Sequence, residues 1–165
     1  MTDQASTDEL APRPVRVDGF GGVAIVGDER GPVDAPVALL LHGGGQTRHS
    51  WGGTATAVAK GGWRAVTLDS RGHGESDWAS GGDYRLASFA GDVQHYIDAA
   101  TDEPPFVIGA SLGGLTAILL AGELAPGIAR GIVLVDIVPD MEPAGADRIQ
   151  AFMAENMASG YGSLD

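Results

Sequence analysis

Apolar positions along the chain form blocks of two kinds, short uninterrupted runs and longer segments with helical spacing. Uninterrupted runs are typical of parallel strands that are covered on both faces. They predict buried strands over residues 37–41, 63–68, 106–108 and 132–135. Helical spacing predicts helices over residues 50–60, 86–100 and 112–124. Strands that alternate with helices indicate an α/β fold, with a mostly parallel sheet and helices on both faces.

The two ends of the chain have a different pattern. Residues 1–14 are polar and acidic and predict a loose tail. Short apolar stretches at 15–17 and 23–26 favour an antiparallel pair of strands, followed by a loop over 27–36. We therefore expect a core over residues 15–139. Residues 140–165 predict the start of a helical lid, with an amphipathic helix over 146–158.

Composition narrows the range of partners. The chain has 165 residues, a net charge of −12 and no cysteine. An acidic chain lacks the basic patches that nucleic acids and anionic membrane surfaces require, so neither is expected as a partner. The absence of a signal-peptide pattern predicts a cytoplasmic location. Nothing in the sequence calls for a metal, flavin or nucleotide cofactor.

Polar or glycine-rich segments follow each predicted buried strand. In parallel sheets, ligands bind beyond the carboxyl ends of the strands, so these segments predict one site at one edge. They are His42-Gly43-Gly44, residues 69–76, residues 109–114 and Asp136.

The third segment, Gly109-x-Ser111-x-Gly113, joins a strand directly to a helix. A serine on such a sharp turn takes a strained backbone conformation, and its neighbours two residues away must be small. The turn aims the serine hydroxyl above the sheet. Taken alone, the motif equally fits a serine that caps the helix N-terminus.

Four motifs stand together in chain order: His42-Gly43-Gly44-Gly45, Asp69-x-Arg71-Gly72-His73-Gly74-x-Ser76, Gly109-x-Ser111-x-Gly113-Gly114 and Leu134-Val135-Asp136-Ile137-Val138-Pro139. With them, residues 15–165 resemble the α/β-hydrolase family. The resemblance is to the bacterial branch of esterases, C–C bond hydrolases and cofactor-free haloperoxidases. It implies a serine hydrolase that acts on an ester-like carbonyl of a small molecule through an acyl-enzyme.

The resemblance also implies roles for individual residues. Ser111 would be the nucleophile, and the amides of Gly44 and Leu112 would form the oxyanion hole. Serine at 111 argues against epoxide opening and dehalogenation, which use a carboxylate nucleophile in this fold. Structural support is expected from His42, Asp69, Arg71, His73, Gly109 and Gly113.

The sequence departs from the family pattern after the nucleophile. No histidine follows Ser111, although the family places its catalytic base there. Asp136 is a candidate acid, but we favour a strand-end carboxylate that binds backbone amides. We expect the N-terminal part of a longer hydrolase, with little or no activity alone. A non-catalytic binding module on a hydrolase scaffold is the alternative. The strand over 132–135 would form an exposed edge suited to self-association.

Overall fold

The protein folds around one six-stranded sheet. The computed structural model describes residues 10–137, together with residues 142, 144, 145, 147, 148, 151 and 154. The strand order is β1-β2-β4-β3-β5-β6. β1 and β2 pair antiparallel, β2 pairs antiparallel with β4, and the pairs from β4 to β6 are parallel. The strands are β1 Arg13–Asp18, β2 Ala24–Arg30, β3 Val37–Leu41, β4 Arg64–Leu68, β5 Phe106–Ala110 and β6 Gly131–Val135.

Helices cover both faces of the sheet, as the alternating pattern predicts. Successive side chains of a strand point to opposite faces. Leu40 of β3 accordingly packs with Ala55 and Ala59 of α1, whereas Leu39 and Leu41 belong to the core on the other face. The helices are α1 Gly52–Lys60, α2 Leu86–Ala100 and α3 Leu112–Leu119, and a π-helical turn, Leu120–Leu124, extends α3.

The first strands differ in extent from the prediction. β1 begins at Arg13, so residues 13 and 14, expected in the tail, pair with β2. β2 continues to Arg30 through residues expected in a loop. The reason is charge pairing, because Glu29 accepts from Arg13 (3.2 Å) and Arg64 (2.8 Å) across neighbouring strands.

β6 lies at one edge of the sheet and exposes apolar side chains. Ile132, Val133 and Val135 are 38%, 47% and 39% exposed. The predicted lid over 140–165 falls mostly outside the described residues. Within the part of the chain that the structure describes, no helix is long and apolar enough to cross a membrane.

Candidate active site

The parallel strands bring the four predicted segments to one edge of the sheet. Leu41 at the end of β3 is in register with Leu68 of β4 and Gly109 of β5, and Gly109 is in register with Leu134 of β6. The residues that follow these positions therefore leave the sheet side by side.

Ser111 has the strained conformation that the motif predicts. Its φ is 45° and its ψ is −110°, in a region that L-residues rarely occupy. Its amide donates to the Val135 carbonyl (3.1 Å), which ties the turn to β6. The hydroxyl makes no capping hydrogen bond with α3, so the helix-cap interpretation is not the one observed. Ser111 is exposed, and its hydroxyl is available to a ligand.

The glycines around Ser111 are required by close backbone approach. A Cβ at Gly109 would collide with the carbonyl of Gly113, and a Cβ at Gly113 would collide with the carbonyl of Leu41. Both obstacles are main-chain atoms, one in α3 and the other in β3. A side chain at either position would therefore displace α3 from the sheet.

The loop after β3 forms a tight turn beside Ser111. Gln46 closes it, since its amide donates to the Gly43 carbonyl (3.2 Å) and its side-chain oxygen accepts from the Gly43 amide (3.1 Å). A Cβ built on Gly43 would lie 3.5 Å from the Ser111 Cβ, and one on Gly44 would lie 4.0 Å from Leu112 Cδ2. The turn thus lies against the start of α3.

Two amides at this junction make no hydrogen bond within the described part of the chain. Among the described residues, neither the Gly44 N–H nor the Leu112 N–H donates a hydrogen bond. Leu112 is the first residue of α3, where no intrahelical acceptor is available. Two free amides beside a serine hydroxyl can stabilise the oxyanion that forms when the hydroxyl attacks a carbonyl.

His42 is buried beneath this turn. Its Nε2 accepts from the Ser70 amide (3.0 Å), so Nδ1 carries the proton and donates to the Gly43 carbonyl (2.7 Å). Burial lowers the pKa of His42, which favours this neutral form. Both ring nitrogens of His42 therefore make hydrogen bonds, which hold the loop after β3 to the loop after β4.

His73 contacts the same turn from the loop after β4. Its Nε2 accepts from the Gly45 amide (3.1 Å), and its Nδ1 pairs with the Arg71 carbonyl (3.0 Å). The His73 and His42 rings lie 5.1 Å apart. His73 is thus also engaged by backbone groups on both nitrogens.

Asp69 links the two loops through its carboxylate. It accepts from the Arg48 amide (2.6 Å), the Glu75 amide (3.0 Å) and the Arg48 guanidinium. Burial alone would raise the pKa of Asp69, but these hydrogen bonds outweigh it and hold the pKa below its ordinary value. Asp69 therefore stays ionised and fixes the loop that carries Arg48.

Arg71 holds the loop after β4 against α2. Its guanidinium makes two 2.7 Å hydrogen bonds to Asp92, and it also donates to the carbonyls of Phe20 and Asp83 (2.9 Å each). The ion pair with Asp92 raises the pKa of Arg71. Both side chains are buried, and this contact positions the whole segment that ends at His73.

Three residues of this hydrogen-bond network, Gln46, Arg48 and Asp92, are not among the site residues that the sequence predicts. Gln46 and Arg48 lie just after the glycine run, and no local pattern distinguishes them from other loop residues. Asp92 did carry a signal, because it is a carboxylate beside Val93 on the apolar face of α2. A charge in that position is expected to have a buried partner.

Asp136 follows β6 directly. Its φ is 53°, and it shares a positive φ with Ser111 alone among the non-glycine residues that the structure describes. It is exposed, and within the described residues its carboxylate makes no hydrogen bond or ion pair. The expected binding of backbone amides is therefore not seen there. The described residues also contain no cluster of three potential metal ligands.

Comparison with known proteins identifies the family of this chain. The model of the family described as alpha/beta hydrolase fold matches residues 36–162. The chain belongs to the α/β-hydrolase family. Two similar relatives of this α/β-hydrolase are an esterase of Mycobacterium tuberculosis, 39% identical over 105 residues, and protein phosphatase methylesterase 1 of Mus musculus, 35% identical over 125 residues.

The match to the esterase covers 64% of this α/β-hydrolase and 34% of the esterase. The match to the methylesterase covers 73% of this α/β-hydrolase and 32% of the methylesterase. A solved α/β-hydrolase of Novosphingobium aromaticivorans superposes with a TM-score of 0.76 at 27% identity, over 86% of this chain and 50% of that one. The chain therefore spans about a third of the length of these two relatives and half of that structure. An epoxide hydrolase of Vigna radiata shares the fold, with a TM-score of 0.72 at 24% identity.

Proposed function

We propose that this α/β-hydrolase is a serine esterase in which Ser111 attacks an ester-like carbonyl of a small molecule. The observation that carries the proposal is the position of the exposed Ser111 hydroxyl beside the free amides of Gly44 and Leu112. Attack forms a tetrahedral oxyanion, which these amides stabilise, and expulsion of the alcohol leaves an acyl-enzyme. The similarity to an esterase and a methylesterase supports the same reaction.

The residue at 111 also separates ester hydrolysis from the epoxide chemistry of other relatives. Epoxide hydrolase B of Mycobacterium tuberculosis is 32% identical over 113 residues. An epoxide is opened in this fold by a carboxylate nucleophile, and serine stands at that position here. A serine hydroxyl paired with two free amides suits an acyl group better than an epoxide.

The general base is not supplied by the histidines of this chain. His42 and His73 are committed to backbone groups, whereas His49 and His95 are exposed on other elements. Asp136, exposed directly after β6, stays a candidate acid. Without a base the Ser111 hydroxyl is a weak nucleophile, so we expect the 165-residue chain to hydrolyse esters slowly.

Hydrolysis of p-nitrophenyl acetate by the chain and by Ser111→Ala tests the proposal. We expect a slow activity that the substitution abolishes, with Ser80→Ala, a change at another exposed serine, as a control that retains it. Equal rates for the chain and Ser111→Ala would overturn the assignment of the nucleophile.

A second candidate function is a non-catalytic binding module on the same scaffold. One observation favours it, namely that no side chain among the described residues hydrogen-bonds to the Ser111 hydroxyl. Such a module would bind a carbonyl compound at the two free amides without turning it over. Saturable binding of an ester that stays intact for hours would favour this function.

A further inference from the structure

Asp136 lies beside the nucleophile, on the β6 side. Ala110 of β5 is in register with Val135 of β6. The residues that follow them are Ser111 and Asp136, and the Ser111 amide donates to the Val135 carbonyl (3.1 Å). Because neighbouring strands lie about 4.8 Å apart, the Asp136 carboxylate is within reach of a ligand bound at Ser111.

The strand order separates Asp136 from the two free amides. β5 lies between β3 and β6, so the loop that carries Gly44 is on one side of Ser111 and Asp136 is on the other. When the carbonyl oxygen of an ester binds the amides of Gly44 and Leu112, a substituent of that carbonyl extends toward β6. Asp136 therefore meets a substituent of the ligand and not its carbonyl oxygen.

The charge of Asp136 is not neutralised by its described neighbours. The side chain is exposed and makes no hydrogen bond or ion pair within the described residues. The arginines of the loops after β3 and β4 do not offer it a free cation, because each is bound to carboxylates: Arg48 to Asp28, Asp69 and Glu75, Arg71 to Asp92, and Arg85 to Asp83. Asp136 thus gives this side of the site a negative charge.

We propose that Asp136 is a specificity-determining residue, whose charge selects esters with a cationic substituent near the carbonyl and disfavours anionic ones. The ester chemistry rests on the proposed function, whereas the attraction of a cation to Asp136 does not. This role differs from that of a catalytic acid, which acts through a histidine. No histidine of the described part of the chain hydrogen-bonds to Asp136, so its charge acts on the ligand directly.

The backbone conformation of Asp136 suits a test by substitution. Its φ is 53°, and asparagine is, after glycine, among the residues that most readily adopt a left-handed conformation. Asp136→Asn therefore removes the charge and keeps the shape of the turn. Asp34→Asn is the matched control, because Asp34 is also exposed but lies in the loop before β3, at the opposite edge of the sheet.

Three thioesters of acetate that differ in charge test the selection. They are acetylthiocholine, its uncharged carbon analogue neohexyl thioacetate, and the anionic S-acetyl mercaptopropionate. The chain has no cysteine, so the thiol that hydrolysis releases is measured with a chromogenic disulfide without background from the protein. At low salt, kcat/KM for acetylthiocholine should exceed that for neohexyl thioacetate about fivefold to tenfold. The anionic ester should be the slowest, and high salt should reduce these differences.

The variants decide whether Asp136 causes the preference. Asp136→Asn should abolish it and Asp34→Asn should retain it. A preference that persists in Asp136→Asn would overturn the inference, as would equal rates for the three esters in the unsubstituted chain. If Asp136 served only as a catalytic acid, its substitution would lower all three rates by the same factor and leave their ratios intact, which also overturns the inference.

The two proposals fail separately. Hydrolysis that is equally fast in the chain and in Ser111→Ala refutes the proposed esterase function. Nuclear magnetic resonance then decides the role of Asp136: choline should shift the amide resonances of Ser111 and Asp136 at lower concentration than its uncharged analogue, neohexyl alcohol. Equal midpoints for the two alcohols would overturn the selection of cations.

Discussion

Gly113 lies in α3, and replacing it with alanine should destabilise the protein even though alanine is the better helix former. In an open helical position, Gly→Ala stabilises by about 1 kcal/mol. At Gly113 the new Cβ would overlap the carbonyl of Leu41, a main-chain atom of the central strand β3. Overpacking of this kind costs about 1–3 kcal/mol, and a rigid obstacle favours the upper end. We expect a net loss of about 2 kcal/mol.

The change in the free energy of unfolding should have opposite signs at Gly113 and at an open helical glycine, which makes the prediction specific. Urea unfolding followed by circular dichroism should show the midpoint of Gly113→Ala lowered by about 1 M, for a denaturant slope of about 2 kcal/mol per M. The matched control is Gly53→Ala in α1, where a Cβ would meet nothing within 4 Å. Its midpoint should rise by about 0.5 M. A Gly113→Ala variant as stable as Gly53→Ala would refute the packing argument for the turn.

Three further predictions address the ion pairs and the sheet edge. Arg71→Met leaves the Asp92 carboxylate buried without its partner and should cost about 3–5 kcal/mol in urea unfolding; a loss under about 1 kcal/mol would contradict the buried pair. Folding lowers the pKa of Asp69 from its ordinary value of 3.8. The ionised Asp69 therefore stabilises the folded protein above pH 3.8, and this stabilisation is lost as the pH falls through the lowered pKa of the folded state. Asp69→Asn should therefore flatten the dependence of the urea midpoint on pH below 3.8, and an unchanged slope would exclude Asp69 as its source. Finally, we propose that β6 supports self-association, so Val133→Lys should weaken concentration-dependent association in sedimentation velocity, whereas Val33→Lys, the same change in the loop before β3, should not; equal effects would argue against β6.

Much of the fold follows from local apolar patterns. β3 and α2 have the predicted bounds. The apolar residues of β3 form an uninterrupted run because both faces of the strand are buried, and those of α2 recur with helical spacing because one face of the helix is buried. The extension of β2 through Glu29 could not be predicted in this way. The extension depends on ion pairs of Glu29 with Arg13 and Arg64 in other strands, and the residues next to Glu29 in the sequence do not indicate these partners.

In the candidate site, too, the sequence predicts the local features and not the contacts between distant residues. The position of Ser111 follows from the spacing of its glycines, since the turn is a local requirement. The buried pair of Arg71 with Asp92, and the contacts of Arg48 with Asp69, join residues that are 21 positions apart. Such pairs are set by the order of the strands, and the sequence pattern does not specify partners across that distance.

Labelling with a fluorophosphonate, followed by mass spectrometry of the digested chain, tests the central claim most directly. The proposed function predicts a slow adduct on the peptide that contains Ser111, with no adduct in Ser111→Ala. A folded chain that acquires no adduct on Ser111, or acquires one elsewhere at the same rate, would contradict the claim that this turn presents a nucleophile.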